Sequence, residues 1–340
     1  MNEIENKHRR TVLLMGIALI LCMLGSFTLG RYPVSLFELL GVLGSKLGLP
    51  IEPFWTGSVE AAVWNIRLPR VILSVLVGAC LAAAGGAYQG VFQNPMASPD
   101  ILGASAGAGF GAALAILLGA SSMGITIGAF AASLLTVALV FTVSRHAKGD
   151  RVPGLVLAGI MVSSLFQSGT SFLKLAADPN NQLPQITYWL MGSLSGAKWS
   201  DIGFVLIPML CGLIPLLLLL RWQLNVITMG DDEARAMGVN PQHIRVSVAV
   251  CSTLVTASAV SVSGMIGWVG LVIPHMMRRL VGSDYRFLMP ASMLGGGIFL
   301  LVVDNVSRAV AGIPIGILTA FIGAPFFLWL ITGKGDHYAH

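Results

Sequence analysis

Gly103-Ala104-Ser105-Ala106-Gly107 has the GxSxG spacing of a serine nucleophile elbow, and the run from Gly107 to Ala112 matches the GxGxxA of a dinucleotide-binding turn. Both mechanisms need a strand leading into the turn, whereas this segment reads as an apolar helix rich in small residues. Small residues at that spacing let two helices cross closely, so Ser105 is expected to pack rather than react. A hydrolase built on Ser105 is the rival reading. No GxxxxGK[ST] phosphate loop occurs, and Gly333-Lys334-Gly335 lacks the hydroxyl residue after the lysine, so any nucleotide hydrolysis would belong to another chain. The histidines His8, His146, His243, His275, His337 and His340 form neither HExxH nor an i,i+4 pair. The cysteines Cys22, Cys80, Cys211 and Cys251 form no CxxC. No catalytic group, metal site or disulfide framework is therefore expected.

Four polar segments stand out from the rest of the chain. Asp304 and Arg308 have the i,i+4 spacing of a helical ion pair. Arg67-Leu-Pro-Arg70 sets two guanidinium groups three residues apart at a helix start where Pro69 costs little. The run from Phe92 to Asp100 contains Pro95 and Pro99, which enforce a rigid turn. Asp231 and Asp232 open a short helical pattern, favoured by the helix dipole, which Gly238, Asn240 and Pro241 stop.

The elements that must hold these groups follow from composition. Of 340 residues, 55% are hydrophobic and only 10% charged, with a mean hydropathy of +0.82, against about 25% charged in ordinary soluble domains. Apolar runs near the ~20 residues of a helical span recur along the chain, and 40 glycines suit helices packed backbone to backbone. The fold class is all-α, a polytopic membrane protein forming one domain over residues 1–340. A β-barrel would show ten-residue alternation instead. Spans are expected at 12–30, 68–91, 101–119, 124–143, 154–174, 201–220, 245–263, 266–282, 287–309 and 313–332. That makes about ten transmembrane helices, the first being retained and not cleaved as a leader.

With the N-terminus inside, 13 of the 20 basic residues fall in inside segments and 7 outside, Arg31, Lys46, Arg67, Arg70, Lys174, Lys198 and Arg308. The bias puts both termini in the cytoplasm. Basic residues so dispersed form no nucleic-acid surface. Connections 31–67 and 175–200 lie outside with short amphipathic stretches and interfacial tryptophans, and 221–244 lies inside. Asp304 is the main acid expected at depth. Proton or sodium relays generally use several, which disfavours an ion-coupled secondary transporter, the alternative from another class.

Five stretches, in order, carry a family resemblance: RLPRVILSVLVGACLAAAGGAYQGVFQNPMASPDILGASAGA, YWLMGSLSGAKW, GDDEARAMGV, SGMIGWVGLVIPHMMRRLVGSDYRFLMP and DNVSRAVAGIPIGILTAFIGAPFFLWLI. Together they resemble the FecCD-type permeases of type II ABC importers, which move iron-siderophore complexes, haem and cobalamin. The resemblance implies a homodimer with a translocation path at its interface, two cytoplasmic ATPase subunits carrying ATP and Mg, and an external substrate-binding protein. It implies no cofactor on this chain and a place in a bacterial or archaeal cytoplasmic membrane. Carried over by position, Arg67, Arg70 and Arg308 would contact acidic residues of the binding protein, lipid-headgroup anchoring being the other reading of the first two. Gly230, Asp231, Asp232, Ala234, Arg235, Ala236 and Gly238 would form the coupling helix that docks in the ATPase. Asn94, Met96, Arg151 and Val152 would form an inner gate, departing there from the hydroxyl-bearing pattern of cobalamin members. Iron-siderophore is the first expectation for cargo, with haem, a cobamide or an oxyanion as alternatives.

Overall fold

A computed structural model gives residues 2–30, 32–146, 151–310 and 312–332, the side chains of Asn2, Arg151, Val152 and residues 329–332 excepted. The described chain is helical, with no strand among the described residues. Ten helices coincide with the ten expected spans: α1 (Asn2–Thr28), α4 (Leu68–Val91), α5 (Ala104–Leu117), α6 (Ser122–Arg145), α7 (Arg151–Ala176), α9 (Trp199–Ile214), α12 (Pro241–Ser263), α13 (Val269–Val281), α14 (Tyr285–Ala309) and α15 (Ile315–Thr332). The long connections hold the shorter helices α2 (Leu36–Lys46), α3 (Gly57–Ala61), α8 (Gln182–Leu190), α10 (Arg221–Ile227) and α11 (Asp231–Ala236).

Seven of these segments are long and apolar enough to cross a bilayer, while α5 and α15 are shorter apolar helices and α13 has 13 residues. At 1.5 Å per residue α5 and α13 reach only about 20 Å, against the ~30 Å of a hydrocarbon core. The expected third and eighth spans are shortened for a local reason. Before α5 the chain makes a 3-10 turn over Pro99–Leu102 and turns left-handed at Gly103. Before α13 the left-handed residues Gly264 and Trp268 hold the backbone out of a helix. These two irregular stretches meet, because Gly270 leaves room for the Pro99 ring.

Helix α4 is the centre of the bundle. From Val77 to Val91 every residue is buried, under α12, α13 and α14. Glycine allows the approach: the backbones of Gly78 and Gly296 touch, and a Cβ on either would overlap the other's carbonyl. Glycine-rich composition thus translates into backbone contact between α4 and α14, as expected from the sequence.

Two poles result. At one, Trp199 Nε1 donates to the Trp64 carbonyl at 3.0 Å, beside the start of α4 with Arg67 and Arg70. At the other, Gln93 Nε2 donates to the Ile227 carbonyl at 2.7 Å and Asn225 Nδ2 to Asp284 at 2.7 Å, seating α10 against the ends of α4 and α14, with α11 packed on α10 and α12.

Candidate functional site

At the first pole the three arginines converge. Arg67, Arg70 and Arg308 line one cavity of about 410 Å³, with Ser193, Ser195 and Ser307. Arg70 grips Asp304 with two nitrogens, Nε at 3.0 Å from both carboxylate oxygens and Nη2 at 2.9 Å from Oδ1. Arg308 Nε stands 3.4 Å from the other face of the same carboxylate, which is fully buried. The i,i+4 pair expected from the sequence is therefore the lesser contact. The antiparallel crossing explains this: Arg70 precedes Gly78 by eight residues and Asp304 follows Gly296 by eight, so glycine contact brings the charges face to face.

The arginines also hold the end of α1. Arg67, 6% exposed, donates to the carbonyls of Phe27 and Tyr32. Arg308 donates to the Ser26 and Leu29 carbonyls at 3.1 and 3.3 Å, and to Ser26 Oγ and Asn305 Oδ1. These carbonyls, in the last turn of α1 and the segment just after it, give the guanidinium groups partners that a lipid-anchoring arginine would not need.

At the second pole α11 starts after Gly230, whose φ is +132°. Asp231 is clamped by Arg245 at 2.9 and 2.7 Å, and hydrogen bonding to Arg245 holds the Asp231 carboxyl below its ordinary range. Ala234 is buried against Val226 and Val239, so it seats the helix. The outward surface consists of Asp232, Glu233, Arg235, Ala236, Met237 and Gly238. Asp232 pairs with Arg235 at 2.9 Å at the surface. Nothing lies within 4 Å of a Cβ built on Gly238.

Of the expected gate residues, Asn94 is exposed and spends its side chain on the Met96 amide at 2.9 Å, and Met96 is exposed. The side chains of Arg151 and Val152 lie outside the described residues. Neither Asn94 nor Met96 lines the larger cavity described next.

That cavity, about 660 Å³, runs along α7 between the irregular stretches. Its α7 wall carries Ser163, Ser164, Gln167, Thr170, Ser171 and Lys174, with the apolar Val156 and Ile160 at the other end, at the three- and four-residue spacing of one helix face. Asp100 and Ser105 line it too, and Ser105 Oγ donates to Asp100. Ser105 is thus a wall residue rather than plain packing, and Asp100 is exposed to the cavity, unlike the buried Asp304. The wall stripe was missed in the sequence reading although its signal was there: hydroxyl and amide residues recur at helical period through an otherwise apolar span. Non-helical backbone at membrane depth is tolerated where it lines a watery cavity, and here Ile101 and Gly267 contribute such backbone to the wall.

The FecCD transport family pattern matches residues 17–333. The molybdate import system permease protein MolB of Haemophilus influenzae is 39% identical, over 93% of this chain and 94% of that protein. The hemin transport system permease protein HmuU of Yersinia pestis is also 39% identical, over 85% and 90%. A solved structure described as an inward-facing metal-chelate type ABC transporter superposes with a TM-score of 0.84 at 36% identity, covering 95% of this chain and 99% of that one.

Proposed function

The chain belongs to the FecCD transport family, the multi-pass membrane permease subunit of ABC importers whose ATP hydrolysis sits on a separate ATPase, and from that premise we propose how it moves its cargo. The observation that carries the proposal is the polar wall of α7. Gln167 is exposed and Lys174 half-buried on the face of this spanning helix that lines the cavity; an amide and an ammonium are expensive against lipid, so that face borders water, with Ser164 and Ser171 exposed beside them. In this reading a second copy of the chain closes the open side of the cavity, and the joined cavities form the translocation path. Exposed apolar residues on the same helix, Leu157, Met161, Leu165 and Phe172, supply the apolar surface for lipid and for the second copy.

The arginine pole faces outward and binds the external substrate-binding protein through Arg67, Arg70 and Arg308, while both termini are cytoplasmic. Support comes from their convergence on one cavity and from the charge bias of the connections. At the opposite pole the exposed side of α11, from Asp232 to Gly238, docks into the ATPase, which carries ATP and Mg. Closure of the ATPase pair pushes on α11, which Asp231 and Arg245 tie to α12, and shifts the bundle between outward-open and inward-open states. Asn94, Met96, Arg151 and Val152, next to the irregular stretch before α5 and at the start of α7, close the inner end.

The cargo is a metal chelate, iron-siderophore first, with haem, a cobamide or an oxyanion as alternatives. Relatives of equal identity are named for molybdate and for hemin, so the deciding experiment identifies the ligand on the binding protein that co-purifies with the permease. ATP-dependent uptake of that ligand into vesicles should require permease, ATPase and binding protein together. Uptake by the permease alone, driven by a proton gradient, would overturn the reading.

A further inference from the structure

We propose that Lys174 makes the path selective for cargo of net negative charge and chelate size. This rests on the reading of the α7 cavity as the translocation path. Among the described residues two charged side chains line that cavity, Asp100 and Lys174. Gly159 of α7 packs on the Ile101 carbonyl, which sets the level of Asp100. Lys174 lies 15 residues further along α7, about 22 Å at 1.5 Å per residue. That separation is more than twice the screening length of about 8 Å at physiological ionic strength, so each charge acts at its own end.

Lys174 stands at the arginine pole, since α7 leads on through α8 to Ser193 and Ser195 beside Arg67 and Arg70. Among the described residues no carboxylate pairs with Lys174. The arginines there line the neighbouring cavity instead, where Arg70 and Arg308 share the Asp304 carboxylate. Lys174 is thus, among the described residues, the cationic side chain that lines this cavity, with no carboxylate at ion-pair distance. Below it the polar groups are the hydroxyls and amide of Ser171, Thr170, Gln167, Ser164 and Ser163, set among the apolar Ile160, Val156, Met265 and Ile266, so the wall offers hydrogen bonds without a strong ligand. An unpaired cation at the mouth of a cleft with low-dielectric walls raises the local concentration of anions, as basic side chains do in anion-selective pores. Two copies of the chain would present two such lysines. The volume, about 660 Å³ per chain, is that of a site for a multi-ring ligand and far exceeds a single oxyanion.

The test places a reporter thiol, Ser171→Cys, one turn from Lys174 in the full chain with its ATPase, the four native cysteines replaced by alanine. Its reaction rates with the anionic sulfonatoethyl and the cationic trimethylammonioethyl methanethiosulfonates are each divided by the rate with free cysteine. The anionic reagent should be favoured on the order of tenfold at low salt. Lys174→Gln should bring the ratio to about one, and Lys174→Glu should invert it. A reactive thiol whose ratio ignores Lys174 overturns the selectivity and leaves the path intact. A thiol that reacts with neither reagent, yet is labelled by a membrane-soluble maleimide, overturns the watery path itself. Mass and charge of the ligand eluted from the binding protein give the second readout: a neutral or cationic ligand refutes the proposal, and a bare oxyanion refutes its size.

Discussion

Arg70 and Asp304 are 234 residues apart in sequence and joined by three hydrogen bonds of 2.9 to 3.0 Å. Their pairing is a consequence of glycine packing between α4 and α14, and it ties the end of the central helix to the helix that carries Arg308. Removing one partner leaves the other charge buried without compensation. Asp304→Asn should therefore destabilise the chain by about 3 kcal/mol, read as a lower unfolding temperature in detergent. Arg70→Gln in the same chain should recover part of the loss. Additive losses would show that the pair is not coupled.

Gly78→Leu and Gly296→Leu should each prevent assembly of the bundle, because the added side chain meets a carbonyl of the facing helix. Gly16→Leu is the matched control. A Cβ at Gly16 meets nothing within 4 Å, so this variant should assemble normally. Size-exclusion profiles of the three proteins in one detergent make the comparison.

Within α11, the inward and outward residues should fail differently. Ala234→Leu overpacks a buried contact at a cost of about 1–3 kcal/mol and should loosen the loop itself, seen as faster amide exchange over residues 231–236. Ala236→Trp leaves the loop folded and should separate ATP hydrolysis from uptake. Equal exchange and equal coupling in the two variants would remove this division.

The Asp231–Arg245 clamp sets a pH dependence. Hydrogen bonding to Arg245 lowers the folded-state pKa of Asp231, so its stabilising contribution is complete above the unfolded value of about 3.9. It is lost as pH falls through the lower folded value. Exchange protection of α11 should hold down to about pH 4 and collapse below it, and Arg245→Gln should reduce protection at neutral pH. Protection that declines between pH 7 and 5 in the wild-type chain would contradict the assignment.

Ser105→Ala removes one hydrogen bond at the cavity wall, worth about 0.5–1 kcal/mol. Uptake should fall by no more than about fivefold on that basis. Complete loss in a normally assembled chain would return attention to Ser105 as a reacting group.

Long apolar runs and their spacing were enough to set the number and position of the helices, because each spanning helix satisfies its own backbone and so announces itself locally. The polar helix of residues 231–236, bounded by Gly230 and Gly238, was legible for the same reason. Asp304 shows where local reading stopped: at i,i+4 it points to Arg308, yet the dominant partner comes from α4, since helix register across a crossing is not written in either helix alone. Ala234 looked like a contact residue and is a seat for α11, because which side of a six-residue helix turns inward depends on Val226 and Val239. Serine, glutamine, threonine and lysine along α7 were visible in the sequence as letters. Only the packing of α5 and of the irregular stretches before α5 and α13 beside them made the space that turns those letters into the wall of a cavity.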